Sequence, residues 1–238
     1  MAAANLIGIL AGMGPRSTAP FLEQVLDQCQ LQYGAKDDID YPPLLIYSLP
    51  TPFYLDRPLD HSLMEQTISA GLRQLEAAGV QLVAMPCNTA HRYFEQLQQN
   101  IRIPLLNIVT ETLAELASGP LRQRVTILAT PSTMSAGVYQ AGLAAAGYQV
   151  VWEPEWQEPV NRLIRLIKEK AAPTILEEEW RRLTGMIAAA GADSIIIACT
   201  DLCVVTSTAG LPLRLVDSGV ALAKAVVREY LKMRNNNL

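Results

Sequence analysis

The segment Gly79-Val-Gln-Leu-Val-Ala-Met-Pro-Cys87 recurs in similar form as Gly191-Ala-Asp-Ser-Ile-Ile-Ile-Ala-Cys199. In both copies a glycine precedes an apolar run, and a cysteine follows the glycine by eight residues. A short apolar run between turn residues is typical of a buried strand. The two copies therefore predict two equivalent strands, each of which ends at a polar turn that carries a thiol.

Two further pairs of segments repeat in the same order along the chain. Residues 124–134 match residues 6–17 in their apolar run and in the small, polar turn that follows it, and residues 211–217 match residues 103–109. Three matches in one order indicate an internal duplication. We predict a first lobe over residues 1–117 and a second over residues 118–238, with a C-terminal helix at about 221–233 that packs on the first lobe.

Strand-like and helix-like runs alternate along the chain. In the first lobe we predict strands at 6–11, 44–48, 81–85 and 104–108, and helices at 19–32, 61–78, 89–98 and 111–117. In the second lobe a loop at 153–159 leads into a helix at 160–169. This alternation predicts an α/β fold in which each lobe is a parallel sheet flanked by helices. Ligands of such folds bind beyond the carboxyl ends of the strands, so we expect the active site in the cleft between the lobes.

Composition excludes several classes of partner. Half of the 238 residues are hydrophobic, 18% are charged and the net charge is −4, which is ordinary for a globular protein. Arg and Lys form no basic stripe, which argues against nucleic-acid binding. Neither a signal peptide nor an apolar run long enough to span a membrane is recognisable. We therefore expect a cytoplasmic protein with reduced cysteines, no membrane partner and a small-molecule substrate.

The two repeated thiols have the chemistry of an acid–base pair. A free cysteine has a pKa of roughly 8.5, and a helix N-terminus beside it favours the thiolate. One thiolate removes the proton from an α-carbon, and a second thiol returns a proton to the opposite face. Asn88, Thr89 and Thr200 follow the cysteines and offer hydrogen bonds to a carboxylate and an ammonium group. This combination favours racemisation of an amino acid.

Four segments carry a resemblance to a known family: Gly8-Ile-Leu-Ala-Gly-Met-Gly-Pro-Arg-Ser-Thr18, Met85-Pro-Cys-Asn-Thr-Ala-His91, Leu128-Ala-Thr-Pro-Ser-Thr-Met134 and Ala198-Cys-Thr-Asp-Leu202. In these segments the chain resembles the cofactor-independent aspartate/glutamate racemases. The resemblance implies that L- and D-aspartate are interconverted by a two-base mechanism that uses neither pyridoxal phosphate nor a metal, in a homodimer.

The resemblance also assigns roles to individual residues. It implies that Cys87 and Cys199 are the catalytic bases. It implies substrate contacts, with Arg57 of the Asp56-Arg57 pair and Lys168 facing the side-chain carboxylate of the acidic amino acid; the remaining contacts are Met13, Asn88, Thr89, Thr130, Thr133 and Thr200. The family often has Glu after Cys-Thr, where this chain has Asp201.

Alternatives remain open at this point. Glutamate or a broader set of amino acids is the second substrate candidate, and related proteins isomerise maleate, racemise hydantoins or decarboxylate malonates. A non-catalytic protein that binds an acidic amino acid is a rival from another class, although binding alone requires no second thiol. We expect His91 to be a neutral, hydrogen-bonded side chain rather than a direct acid or base, and Cys29 and Cys203 to be structural.

Overall fold

The computed structural model describes residues 5–54, 58–119, 123–205 and 213–236. In chain order these residues form β1 (Ile7–Ala11), α1 (Thr18–Tyr33), β2 (Leu44–Ser48), α2 (His61–Ala77), β3 (Leu82–Ala84), α3 (Phe94–Gln99), α4 (Ile108–Ala117), β4 (Arg124–Leu128), α5 (Pro131–Ala136), α6 (Gln140–Ala145), β5 (Gln149–Val150), α7 (Gln157–Lys168), α8 (Pro173–Ala189), β6 (Ser194–Ile197), β7 (Arg214–Asp217) and α9 (Ser218–Asn236). The chain divides into two compact units: it leaves the first after Ile108 and returns to it at Gly219.

Each unit contains a parallel sheet. The strand order in the first is β2-β1-β3, and an isolated parallel bridge joins Leu105 to Val83 on the outer side of β3. The order in the second is β5-β4-β6-β7. The two orders are equivalent, because β1 and β4 are each flanked by the next two strands of their own unit. The predicted α/β class, with two parallel sheets flanked by helices, is confirmed.

The strands at the centre of each sheet are fully buried. Every residue of β1, β3 and β6 is buried, as is β4 apart from its first residue. A parallel strand that is covered by helices on both faces has no solvent-facing side, so its residues are apolar in succession rather than in alternation. This explains the continuous apolar runs of the repeated motif.

The glycine that opens each copy of the motif ends the preceding helix. Gly79 follows α2 with φ +87°, and Gly191 follows α8 with φ +78°. Gly79 N donates to Glu76 O and Val80 N to Leu75 O; Gly191 N and Ala192 N make the equivalent bonds to Ala188 O and Ile187 O. This is the Schellman arrangement, in which a left-handed residue lets the next amides close the last helical turn. The same local chemistry thus turns each helix into its strand.

Helix α9 packs against α1 of the first unit. Gln32 Nε2 donates to Lys224 O at 3.1 Å, and the ring centroids of Tyr33 and Tyr230 are 6.4 Å apart. The Arg234 guanidinium lies 5.2 Å from the centre of the Tyr33 ring, within the range of a cation–π contact. Among the described helices, none is both long and apolar enough to cross a membrane.

Some predicted elements differ from the structure. The strand predicted at 104–108 is wrong: it is reduced to the bridge at Leu105, because Pro104 has no amide proton and the Ile108 amide is bonded to His91. The helix predicted at 89–98 is a 3₁₀ turn, Thr89–Tyr93, followed by the short α3. Helix α7 begins at Gln157, within the predicted loop, and α8 was not predicted.

Replacement of glycine by alanine should have opposite effects on stability at Gly191, which ends α8, and at Gly185, which lies within α8. Gly191→Ala should destabilise the protein by about 1–2 kcal/mol, because alanine is strained in the left-handed region. Gly185→Ala should stabilise it by about 0.5–1 kcal/mol, because Gly185 lies within α8 and a Cβ there meets no atom within 4 Å. Urea unfolding followed by circular dichroism measures both. Shifts of the same sign would contradict this assignment.

Candidate active site

Cys87 lies at the carboxyl edge of the first sheet. The last paired residues of β1 and β3 are Ile9 and Ala84, and Gly12 and Cys87 each follow three residues later. The Met13 turn and the Cys87-Asn88-Thr89 segment therefore leave the same edge of the sheet. Cys87 and Thr89 are partly exposed, whereas Asn88 is buried. Cys87 is therefore reachable from solvent, while the polar segment that carries it is anchored by the buried Asn88.

His91 holds the backbone of Cys87 in place. Its Nδ1 lies 2.8 Å from Cys87 O, and its Nε2 lies 3.1 Å from Ile108 N. Because an amide nitrogen only donates, Nε2 is the acceptor, and the proton is on Nδ1, which donates to Cys87 O. Leu106 O, 3.3 Å from Nε2, is then a neighbour rather than an acceptor. His91 thus ties the cysteine turn to the start of α4.

The surroundings of His91 keep it neutral. Burial lowers the pKa of His91, while the nearby carbonyl oxygens of Cys87 and Leu106 act in the opposite direction. The ring also stacks on Phe94 with a centroid distance of 5.8 Å. The predicted neutral, hydrogen-bonded histidine is confirmed.

Cys199 lies at the carboxyl edge of the second sheet. Leu128 of β4 pairs with Ile197 of β6, and Thr130 and Cys199 each follow two residues later. Ala198 N donates to Leu128 O at 2.8 Å, which continues the ladder to the residue before the thiol. Cys199 is partly exposed, and Thr200 is buried. The Cys199 thiol thus occupies a position equivalent to that of Cys87 in its own unit.

Thr130 and Thr133 form a buried polar pair beside this edge. Thr130 caps α5, since its Oγ1 accepts from Thr133 N at 3.3 Å, and the two hydroxyl oxygens are 3.1 Å apart. Gln157 Nε2 donates to Ala129 O at 3.1 Å. The sequence prediction did not include Gln157, because it was assigned to a loop and no local pattern connects it with residue 129.

Lys168 lies beside the Cys199 segment but is already paired. Its Nζ is 2.9 Å from Asp201 Oδ2, and the side chains of Lys168 and Asp201 are 30% and 6% exposed. The other carboxylate oxygen of Asp201, Oδ1, is buried without a hydrogen-bond partner among the described residues. The sequence prediction included Lys168 without this pairing, because nothing in a linear sequence indicates a contact across 33 positions.

The turns after the two cysteines differ from the expectation. Within the described ranges, each cysteine precedes a 3₁₀ turn, Thr89–Tyr93 or Thr200–Val205, rather than the N-terminus of an α-helix. The helix expected directly after each cysteine thus begins as a 3₁₀ turn, and after Cys87 this turn continues into α3.

The two remaining cysteines are in environments that suppress reactivity. Burial raises the pKa of the Cys29 thiol, and Cys29 is fully buried in α1. Burial, together with the negative charges of Asp217 and Asp201, raises the pKa of Cys203 to about 12. Both thiols are therefore protonated near neutral pH, as expected of structural cysteines.

The predicted site residues fall into two groups, one in each unit. The first unit holds Met13, Cys87, Asn88 and Thr89, and the second holds Thr130, Thr133, Lys168, Cys199 and Thr200. Arg57 and its neighbour Asp56 lie outside the described residues. In the described ranges, no group of three His, Cys, Asp or Glu side chains is arranged to hold a metal ion.

Comparison with known proteins identifies the family. The model of the family described as Asp/Glu/hydantoin racemase matches residues 10–226. The chain belongs to this family. It is 45% identical over 226 residues to the broad specificity amino-acid racemase RacX of Bacillus subtilis (strain 168). The aligned residues cover 95% of this chain and 98% of that protein. The prediction of an enzyme of the isomerase class is confirmed at the level of the family.

Solved structures share the fold over the whole chain. The Picrophilus torridus aspartate racemase is 25% identical and superimposes with a TM-score of 0.80, covering 98% of this chain and 99% of its own. The glutamate racemase of Francisella tularensis, solved with D-glutamate, has a TM-score of 0.66 at 15% identity and covers 98% of this chain and 82% of its own. The second likeness shows the fold alone.

Selective alkylation should separate the four cysteines into two pairs. In the folded, reduced protein, iodoacetamide at pH 7.5 should modify Cys87 and Cys199 at least about tenfold faster than Cys29 and Cys203, because the thiolate is the nucleophile. Peptide mass spectrometry after a time course measures each rate. Labelling in urea, where all four thiols are equally accessible, is the control. Fast modification of Cys203 in the folded state would contradict its raised pKa.

His91 predicts a stability that falls with acidity. In the unfolded state the imidazole is protonated as the pH falls below about 6.5, whereas the buried imidazole of the folded state stays neutral. The free energy of unfolding should therefore decrease below pH 6.5, by up to about 1.4 kcal/mol per pH unit. His91→Gln should cost about 1–3 kcal/mol at pH 7 and flatten this dependence. Urea unfolding between pH 5 and 7.5 measures it. An unchanged slope in His91→Gln would refute the assignment.

Proposed function

We propose that this chain is a cofactor-independent amino-acid racemase in which Cys87 and Cys199 are the two acid–base groups. The observation that carries the proposal is their equivalence. Each partly exposed thiol follows the strand that neighbours the central strand of a parallel sheet, and the two sheets have equivalent strand orders. The other two cysteines have raised pKa values. Membership of the racemase family supports the same reading.

The proposed reaction is a pair of proton transfers at one carbon. A thiolate removes the Cα proton, and the electron pair of the broken C–H bond is delocalised into the adjacent carboxylate. The second thiol then donates its proton to the opposite face of the carbon. The amino acid leaves with inverted configuration, one sulfur has gained a proton and the other has lost one. The reverse reaction exchanges these roles, so no external oxidant, reductant or cofactor is consumed.

The polar residues of the two units are proposed to hold the amino-acid head group. The side chains of Asn88, Thr130, Thr133 and Thr200 are buried. Buried hydroxyl and amide groups are held in one orientation by the protein, which suits recognition of a carboxylate and an ammonium group. Met13 and the partly exposed Thr89 complete the proposed contacts.

The identity of the side chain has two candidate answers. Aspartate is the substrate that the sequence resemblance names, through Arg57 and Lys168. The Bacillus subtilis relative is named a broad specificity racemase, which extends the candidates to amino acids without a second carboxylate. A homodimer stays a prediction of the resemblance and a cytoplasmic location a prediction from the sequence itself, and light scattering during gel filtration tests the first.

Hydrogen exchange at Cα tests racemisation directly. The reduced protein is incubated in heavy water without added cofactor with each of a panel of L-amino acids, and NMR follows the Cα proton while chiral chromatography follows the D enantiomer. We expect deuterium at Cα to appear together with the D enantiomer. A panel in which no amino acid exchanges would refute the proposal.

Single cysteine variants test the two-base mechanism. Cys87→Ser and Cys199→Ser should each lower racemisation by about 10²–10⁴-fold, because each removes one of the two proton-transfer groups. The remaining thiol still faces one side of the carbon, so each variant should exchange the Cα proton of one enantiomer without inverting it, and the two variants should act on opposite enantiomers.

Cys203→Ser is the matched control for this pair. It makes the same change four residues from Cys199, at a thiol with no proposed role, and should keep wild-type turnover. A Cys199→Ser variant that racemises at the wild-type rate would exclude the two-cysteine mechanism.

A further inference from the structure

Each positively charged side chain of α7 forms a salt bridge with a carboxylate of the protein. Arg162 Nε lies 2.8 Å from Glu179, Arg165 Nη2 lies 2.6 Å from Glu158, and Lys168 Nζ lies 2.9 Å from Asp201. In the first two pairs the arginine side chain is about half exposed to solvent. The third differs, because Asp201 is buried and lies two residues after Cys199.

The position of Asp201 relative to the thiol is held by the backbone. Leu202 N donates to Cys199 O at 2.9 Å, which closes the turn in which Asp201 stands. Asp201 Oδ2 accepts the ammonium of Lys168, while Oδ1 is buried and has no hydrogen-bond partner within the described residues. A buried carboxylate oxygen that accepts no hydrogen bond lowers the stability of the folded state. Oδ1 is such an atom, and it lies beside the Cys199 segment.

A second carboxylate adds to the negative charge at this edge. Asp217 ends β7 and pairs with Ile197, two residues before Cys199. The charges of Asp217 and Asp201 both raise the pKa of the Cys203 thiol, so both carboxylates lie near that thiol. Asp201 and Asp217 therefore both lie near this edge of the second unit, and the ammonium of Lys168 is paired with Asp201.

We propose that Asp201 is a specificity-determining residue: it takes up the charge of Lys168, so that the site discriminates against amino acids with a side-chain carboxylate and prefers those with an uncharged side chain. This inference rests on the proposed function, because it requires that Cys199 acts on the substrate. A dicarboxylic substrate would have to displace Asp201 from Lys168 while its own carboxylate lies near two like charges. An uncharged side chain meets neither cost.

Two pairs of isosteric substrates isolate the charge of the side chain. Asparagine and glutamine have the shapes of aspartate and glutamate without the second negative charge. We expect the wild-type kcat/KM, measured by Cα exchange in heavy water, to be at least about tenfold higher for each amide than for its acid. A wild-type protein that prefers aspartate over asparagine would overturn the inference.

Asp201→Asn should reverse part of this preference. It keeps the shape of the side chain and releases the Lys168 ammonium, so the aspartate-to-asparagine ratio of kcat/KM should rise at least about tenfold. The double variant Lys168→Gln/Asp201→Asn should lose this gain, because the released ammonium is then absent. A ratio that does not change in Asp201→Asn, or a gain that persists in the double variant, would refute the role of the pair.

Glu158→Gln is the matched control on the same helix. It makes the same acid-to-amide change and releases Arg165, but at a pair whose carboxylate side chain is 70% exposed. Its substrate ratio should stay within about twofold of wild type. If Asp201→Asn does not fold, as judged by circular dichroism, the wild-type ratios and the charge-balanced double variant still decide. Absence of exchange with every amino acid would instead refute the proposed racemase itself.

Discussion

Parallel strand pairing is the constraint on which the rest of each unit depends. In a parallel sheet all strands end at the same edge, so the turn after one strand leaves the sheet beside the turn after its neighbour. This brings the Met13 turn to the edge that carries Cys87, and Thr130 to the edge that carries Cys199. Residues that are more than 60 positions apart in the sequence thereby lie at the same edge of a sheet.

The polar groups at these edges have different tasks. His91 uses both ring nitrogens for backbone contacts, and burial disfavours its charged form, so it positions the Cys87 turn rather than moving protons. Lys168 and Asp201 neutralise one another beside Cys199. Cys87 and Cys199 are the acid–base groups of the proposed reaction, and these polar side chains lie beside them in the first and the second unit.

Much of the fold was predictable because its signals are local. The apolar runs of β1, β3 and β6 reflect burial on both faces, and the glycines at 79 and 191 reflect the left-handed residue that ends each preceding helix. Prediction was wrong where long-range contacts intervene. The segment around Leu105 has a strand-like composition, but the bond from the Ile108 amide to His91 and the missing amide proton of Pro104 leave only one bridge.

The α/β class, the equivalence of Cys87 and Cys199 and the polar residues beside them could be predicted from the sequence, because each follows from short local patterns. The hydrogen-bond partners of His91, the carboxylates near Cys203 and the pairing of Lys168 with Asp201 could be seen only in the folded chain. All three depend on burial and on charges brought from distant segments. The energy of a charge depends on its surroundings in space, which the order of residues along a chain does not specify.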